Sequence, residues 1–225
     1  MRYALLGLLL LALATPASAA EVELMVVGKE RVLRGPVDVR LKDRTVRVGG
    51  RRCRVGARTP LSVLAGTSLR LRLEDFGRCG RRARDASGLY VKGIGRERER
   101  GLGGWVYKVG RRVGSAGAGD PSRLRGRPVL WFWCVRAGAC QRTLEVQPER
   151  SAVAPGEALR VTVRGYDDQG RGVLVEGATV RLGGASAVTG SDGVAVLAPT
   201  ESGRHALTAS RPGMVRAFPR EVRVG

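Results

Sequence analysis

The stretch GLGGWVYKVGRRVGSAGAGD, residues 101–120, decides how the first half of this chain is interpreted. It sets a tryptophan and a tyrosine two positions apart in a short apolar run with glycines at both ends. Alternation along GWVYKVG places Trp105, Tyr107 and Val109 on one face of a strand and Val106 and Lys108 on the other. The stretch therefore predicts a strand with aromatic rings on one face only.

The glycine-rich segment GSAGAGD, residues 114–120, favours tight turns after that strand. It lacks the Gly-Lys-Ser/Thr ending of a phosphate-binding loop, and no helical pattern follows it, which excludes that class of site. Asp120 precedes a proline. Its carboxylate is expected to fix the turn by accepting hydrogen bonds from nearby backbone amides.

A second aromatic strand, VLWFWC, is predicted at residues 129–134. Its alternation puts Val129, Trp131 and Trp133 on one face, opposite the other three residues. If it pairs with GWVYKVG, the rings form a surface that could stack on a flat ligand, since aromatic side chains offer a large contact area at low entropic cost. The candidate ligand-binding residues are Trp105, Tyr107, Trp131 and Trp133. The alternative is that these rings fill the core.

The rest of the first half consists of short alternating strands, separated by turns, and one helix. RTPLSVLAG, residues 58–66, predicts that helix: Thr59 is an N-cap residue, Pro60 suits the first helical position, and Gly66 suits the helix end. The charged, glycine-flanked segment GIGRERERGLGG, residues 93–104, predicts an exposed loop between two strands.

A proline-containing linker, QPERSAVAPGEAL, leads into a second set of alternating segments: LRVTVRGYD, GATVRLGG, GVAVLAP, GRHALTASRPG and REVRV. Strands at this spacing, with Gly or Pro turns between them, predict a small β-sandwich. We place the boundary near Gln147. The expected fold is mainly β with little α, in a first domain at 21–146 and a second at 147–225.

The two halves differ in charge. The formal net charge is +20, and arginine supplies most of it, since the chain has only four lysines. Residues 21–146 hold 29 basic and 12 acidic residues, whereas residues 147–225 hold 10 and 8. A strongly basic domain could bind anionic wall polymers, nucleic acid or anionic lipid. The alternative is an evenly charged surface, since the short arginine pairs at 51–52, 81–82 and 111–112 are scattered, and most are predicted to lie in loops.

The first twenty residues, MRYALLGLLLLALATPASAA, predict a secretory signal peptide. The chain is therefore expected to be secreted or held at the cell surface, with no transmembrane segment in its mature part. Four cysteines in an exported chain predict two disulfides, for which sequence alone permits three pairings. We favour Cys134–Cys140, which closes a short loop between strands, and Cys53–Cys79, which brackets one supersecondary unit.

Catalytic and metal sites find little support. His205 is the single histidine, no Gly-x-Ser-x-Gly motif occurs, and the cysteine spacings lack the paired Cys-x-x-Cys of zinc sites. Asp167 and Asp168 lie in GYDDQGRG, where a turn needs aspartate for backbone reasons. The chain is therefore expected to be no enzyme and to hold no metal or cofactor.

Four segments in order, TPLSVLAG, LYVKGI, GWVYKVGRRVGSAGAGD and GRPVLWFWC, resemble a bacterial domain similar to the C-terminal β-domain of transcobalamin and intrinsic factor. The resemblance covers residues 58–146, and Trp105, Tyr107 and the turn at 117–120 match best. It implies a β-grasp-like fold, a mixed sheet with one helix across it. In the vitamin B12 carriers this domain closes over the corrinoid together with a helical domain. This chain has no such helical domain, so cobalamin is only a candidate ligand. The cysteines near the last strand depart from the vertebrate carriers.

The second half resembles Ig-like and carboxypeptidase-regulatory-like modules of bacterial surface proteins, through PGEALRVTV, GATVRL and VTGSDGVAVLAP. Such modules are usually spacers or adhesive units. The expected function is a non-catalytic binding or presentation protein for an unassigned small molecule, with no specific nucleic-acid partner. The alternative is a structural or adhesive cell-wall protein, held on anionic polymers by its basic first domain.

Overall fold

The computed structural model describes residues 20–120, Leu124 and residues 126–225. The expected signal peptide lies outside the described residues except for Ala20. The predicted mainly β fold with little helix is confirmed. In the first unit the strands are β1 Glu21–Val27, β2 Val32–Arg40, β3 Arg44–Val48, β4 Arg51–Val55, β5 Leu71–Asp75, β6 Leu89–Ile94, β7 Glu97–Arg98, β8 Gly104–Val109, β9 Arg112–Val113 and β10 Val129–Cys134.

The first unit is built on a five-stranded mixed sheet in the order β2-β1-β10-β8-β9. Strands β1 and β10 lie parallel at its centre, and the other pairs are antiparallel. A short helix, α1 Pro60–Leu64, packs on one face of this sheet, which we call the inner face. The hairpin β3-β4 and the small sheet β5-β6-β7 extend the same core.

The helix α1 forms where the sequence predicts it. The Thr59 side chain accepts a hydrogen bond from the Ser62 amide at 3.0 Å, and Pro60 occupies the first turn, where its missing amide donor is not needed. All five helical residues are buried. The helix ends at the Ala65 cap, one residue before Gly66. Its short length restricts it to covering the sheet centre.

The second unit contains the strands β11 Thr143–Pro148, β12 Ala152–Val153, β13 Leu159–Tyr166, β14 Gly172–Leu174, β15 Thr179–Leu182, β16 Ala185–Val188, β17 Val194–Leu197, β18 Gly203–Ser210 and β19 Arg220–Val224. In one sheet β13 pairs with β11, β14 and β17. The other sheet runs β12-β19-β18-β15-β16. Alternate residues of both sheets form one apolar core, as in a two-layer sandwich.

The boundary between the units lies earlier than the predicted Gln147. Strand β11 pairs along its full length with β13, in a register that sets Thr143 opposite Tyr166. Leu144 and Val146 belong to the core of the second unit. The change of unit therefore falls between Cys134 and Thr143. Sequence pattern alone could not place it, because an alternating strand of this kind can pair with either neighbour.

The second unit covers the other face of the five-stranded sheet, which we call the outer face. A separate apolar cluster forms there, in which Val215 of the second unit packs with residues of β1 and β10. The cluster consists of Met25, Val27, Leu130, Phe132, Cys134 and Val215, with Val106, Cys140 and Phe218 at its margin. Both faces of the sheet are thus buried, each by a different part of the chain.

Candidate functional site

The two aromatic strands pair as predicted, and their rings lie in the core of the first unit. Trp131 lies opposite Tyr107, and Trp133 lies opposite Trp105. The first pair of ring centroids is 5.3 Å apart, and the second meets edge-to-face at 5.8 Å. Trp131, only 1 % exposed, donates from Nε1 to the carbonyl oxygen of Pro60 at 3.3 Å. The helix α1 therefore lies directly over these rings.

All four candidate ligand-binding residues are buried in the core of the first unit. Trp105, Tyr107, Trp131 and Trp133 are all at most 7 % exposed and belong to one core cluster. Trp133 carries the Lys29 ammonium 4.2 Å from its ring centroid. A ligand could stack on these rings only after displacing the segments that cover them. Their ligand-binding role stays a prediction, and core packing accounts for their positions.

The glycine-rich turn also belongs to this packing. A Cβ atom at Gly119 would lie 2.0 Å from the carbonyl oxygen of Ala86, so only glycine fits there. The neighbouring Ala118 carbonyl accepts a hydrogen bond from the Leu61 amide at 2.9 Å, inside the first turn of α1. The Asp120 carboxylate accepts from the Gly117 amide at 3.1 Å, as predicted. The turn holds the start of the helix against the sheet.

Both predicted cysteine pairs lie at disulfide distance. The Cα atoms of Cys53 and Cys79 are 5.3 Å apart, and those of Cys134 and Cys140 are 5.1 Å apart. The first disulfide ties β4 to the segment after β5. The second closes the loop between the two units. Such cross-links are typical of proteins that fold in oxidising surroundings.

A cluster of arginines lies on the exposed side of the hairpin β3-β4. Gly49 and Gly50 both have positive φ, 53° and 81°, which gives the two-residue turn that joins these strands. The register sets Arg47 directly opposite Arg52 and sets Thr45 opposite Arg54. Val46, Val48, Cys53 and Val55 point the other way, into the core. The apolar side of the hairpin thus fixes all the outward arginines on one surface.

Arg81 joins this cluster from a neighbouring segment. The Arg54 amide donates to the carbonyl oxygen of Gly80 at 2.8 Å, which holds the segment 80–81 beside β4. Together these residues enclose an open depression of about 550 Å³, lined by Thr45, Arg52, Arg54, Gly80 and Arg81. We call Arg47, Arg52, Arg54 and Arg81 the arginine face.

Most of the positive charge on the arginine face has no ion-pair partner. Arg54 is bound by Asp43 at 2.8 Å, and this hydrogen bond lowers the pKa of the Asp43 carboxyl. Arg47, Arg52 and Arg81 are exposed and form no salt bridge with any residue that the structure describes. Among the described residues, no acidic side chain lines the depression. The face can therefore accept several anionic groups.

The sequence interpretation missed the arginine face. It predicted that most of the arginine pairs lie in loops, but Arg51 and Arg52 lie on strand β4. The signal was present in RTVRVGGRRCRV, residues 44–55, where two alternating runs flank a Gly-Gly pair that favours a tight hairpin. What the pattern could not supply is the register that sets Arg47 opposite Arg52.

A second feature that the sequence interpretation missed is the buried ammonium of Lys108, fully enclosed between the two units. Its Nζ donates to Thr143 Oγ1 and to the carbonyl oxygens of Tyr166 and Asp167 at 2.9–3.1 Å. Burial lowers its pKa to about 8, although the carboxylates of Asp168 and Asp167 act in the opposite direction. The lysine fastens the first unit to the second.

The remaining candidate groups have structural roles. The Asp167 carboxylate accepts from the amides of Gln169 and Arg171, as expected for a turn. The His205 ring nitrogen Nε2 lies 2.8 Å from the carbonyl oxygen of Glu201. Within residues 20–120, 124 and 126–225, no group of three or more potential metal-ligating side chains is found, and no helix is long and apolar enough to cross a membrane.

No protein-family model matches the chain, and no curated protein is significantly similar to it. The function therefore has to be argued from the geometry of the chain itself.

Proposed function

We propose that this protein is a non-catalytic binding protein, secreted or held at the cell surface, whose arginine face binds anionic polymers of the cell wall. The observation that carries the proposal is the cross-strand pair of Arg47 and Arg52, exposed and without an acidic partner among the described residues. Two disulfides and a first unit rich in arginine suit such a role outside the cell.

The energetics of the hairpin support this proposal. Like charges directly opposite each other on neighbouring strands destabilise a sheet, by up to about 1 kcal/mol per pair. A glutamate at position 47 or 52 would relieve that repulsion at no cost in packing, because both side chains point to solvent. An anionic polymer would relieve it in the same way, and each guanidinium can bind a phosphate or carboxylate group through two hydrogen bonds.

The rigidity of the arginine face also favours polymer binding. Val46, Val48 and Val55 anchor the hairpin in the core, and the Cys53–Cys79 disulfide ties it to the segment that carries Arg81. Because the backbone positions of these arginines are fixed, only their side chains lose conformational freedom on binding, and repeating anions on one polymer chain can contact several of them at once.

We further propose that the first unit is a β-grasp-like domain related to the C-terminal β-domain of transcobalamin and intrinsic factor. Its central parallel pair β1-β10, its flanking hairpins and its helix α1 support this relation. The second unit, with its two packed sheets, suits an Ig-like spacer. Cobalamin stays a candidate ligand from the resemblance alone, because the matching rings of Trp105 and Tyr107 lie in the core.

The proposal is tested by binding of a glycerol-phosphate wall polymer, with neutral dextran as the comparison polymer. The double variant R47Q/R52Q removes the two opposed charges. We expect its affinity at low salt to fall at least tenfold, and we expect wild-type binding to weaken steeply as salt rises, because exposed charges are screened. The stability of the double variant should be unchanged or slightly higher.

The matched control is R160Q/R223Q, which removes two exposed arginines from the second unit. It changes the net charge by the same amount and should keep at least half of the wild-type affinity. Equal losses in the two double variants would show that only overall charge matters and would contradict a site on the hairpin. Salt-independent binding would contradict the electrostatic mechanism.

A further inference from the structure

A cleft of about 520 Å³ lies between the two units, where strands β8 and β10 of the first unit meet β11 of the second. Its volume falls in the range of small-molecule sites. Leu130, Leu144 and Phe218 supply apolar surface, and arginines from both units surround it. The cleft is separate from the arginine face, since the two share no lining residue.

Arg111 lines one side of the cleft, and its guanidinium is already bound by other residues of the protein. Its guanidinium donates to both carboxylate oxygens of Glu145, at 2.7 and 2.8 Å, and stacks 4.5 Å from the ring centroid of Tyr166. This bidentate pair joins the first unit to the second. It neutralises one arginine and one glutamate of the lining and fixes the width of the cleft on that side.

Arg112 and Arg220 face the same cleft from different units, and neither forms a salt bridge with a residue in the described part of the chain. Both are exposed. Two guanidinium groups held by separate β-sheets around one cleft give a geometry suited to a single anionic group between them.

Glu23 adds a second kind of recognition. It projects from the centre of β1 into the cleft, is half-buried, and its carboxylate makes no hydrogen bond with the described residues. Burial raises the pKa of this carboxyl, Arg220 lowers it, and Asp38 raises it. A partly desolvated carboxylate without a donor is an acceptor that a ligand hydroxyl can satisfy.

We propose that this cleft is a binding site for a small organic anion, in which Arg112 and Arg220 hold a carboxylate or phosphate group and Glu23 accepts a hydrogen bond from a hydroxyl of the same molecule. The apolar surface of Leu130 and Phe218 contacts its carbon skeleton. A sugar acid and a sugar phosphate both meet this description. The site does not depend on polymer binding at the arginine face.

The test is a titration of the ¹⁵N-labelled full chain with D-glucuronate and, separately, with D-glucose 1-phosphate. We expect saturable shifts of the Gly110 and Gly170 amides, which line the cleft, for one or both anions. Comparison of the two arms identifies whether carboxylate or phosphate is preferred. Neutral D-glucose should cause no such shift.

Variants R112Q and R220Q should each raise the dissociation constant at least tenfold, whereas R160Q, an exposed arginine on β13 that does not line the cleft, should leave it unchanged. E23L should weaken binding of the hydroxylated anions but not of inorganic phosphate. The proposal is overturned if neither anion gives a saturable shift at Gly110 or Gly170. It is also overturned if R160Q weakens binding as much as R112Q and R220Q do.

Discussion

The inner and outer faces of the five-stranded sheet are covered by different parts of the chain. On the inner face, Trp131 and Tyr107 pack beneath α1, so the first unit encloses them by itself. On the outer face, Phe132 and Lys108 are covered by the second unit. Trp131 and Phe132 are neighbours in β10, but the first packs against α1 and the second packs against the second unit. The first unit thus completes its own core but needs the second unit to bury its outer face.

The faces also differ in polarity. The rings of Trp105, Tyr107 and Trp131 on the inner face donate hydrogen bonds within their own unit; for example, the Tyr107 hydroxyl donates to the carbonyl oxygen of Ala116 at 2.9 Å. The outer face buries the ammonium of Lys108, which would be costly without partners. Three oxygens of the second unit accept its hydrogen bonds and offset that cost. The lysine therefore makes the outer face specific for this one arrangement.

The largest effect is expected from W131A on the inner face. Loss of this fully buried ring should lower the free energy of unfolding by about 3–5 kcal/mol, since it leaves a cavity beneath α1. Guanidinium unfolding followed by the remaining tryptophan fluorescence measures the change. The control is F76A, which removes an aromatic ring that is 73 % exposed and should cost less than about 0.5 kcal/mol. Similar losses in both variants would contradict the assignment of Trp131 to the core.

A somewhat smaller effect is expected from F132A on the outer face. It should lower the free energy of unfolding by about 3 kcal/mol, at the lower end of the range for buried aromatic residues. Because Phe132 packs in the cluster that contains Val215, the contact between the units should loosen as well. Hydrogen exchange at the Val113 and Cys140 amides, which donate across this junction to Asp168 of the second unit, should accelerate in F132A. In W131A the same amides should keep their protection. Faster exchange in both variants would show that the two faces are not independent.

The smallest effect concerns Lys108 and pH. Its pKa is about 8 in the folded chain, below the ordinary lysine value of 10.5. Between these values the unfolded chain binds a proton that the folded chain does not, so stability should rise with pH in this window. Below pH 8 both states are protonated and this contribution does not change with pH. We expect a gain on the order of 1 kcal/mol between pH 7.5 and 9.5.

The variant K108M isolates this contribution, because it removes the titrating amine and keeps an unbranched side chain. The unfolding free energy of the wild type minus that of K108M should increase as pH rises. Asp167, Asp168 and Arg142, the charged groups that act on Lys108, are common to both proteins. A difference that stays constant from pH 7.5 to 9.5 would contradict a lowered pKa at this lysine.

The helix and the strands could be predicted where interactions between residues close in the sequence specify them. The Thr59 cap with Pro60 behind it predicted α1, and alternation predicted the strands that include Trp105 and Trp131, because capping and side-chain direction depend on neighbours along the chain. The boundary near Gln147 was wrong because strand partners are chosen by long-range packing. The arginine face and the cleft between the units depend on register and on unit contacts, which a single sequence does not reveal.

The sequence by itself determined which way each side chain of β8 and β10 points, since the two-residue period of a strand allows no other choice. It also indicated a glycine-rich turn at residues 114–120, though not the close approach of Gly119 to Ala86. Only the tertiary structure decided what covers each face. The aromatic side meets the helix of its own unit, and Lys108 meets oxygens 35 to 59 residues further along the chain. The physical reason is that burial and hydrogen bonding join distant segments, whereas periodicity acts only between near neighbours.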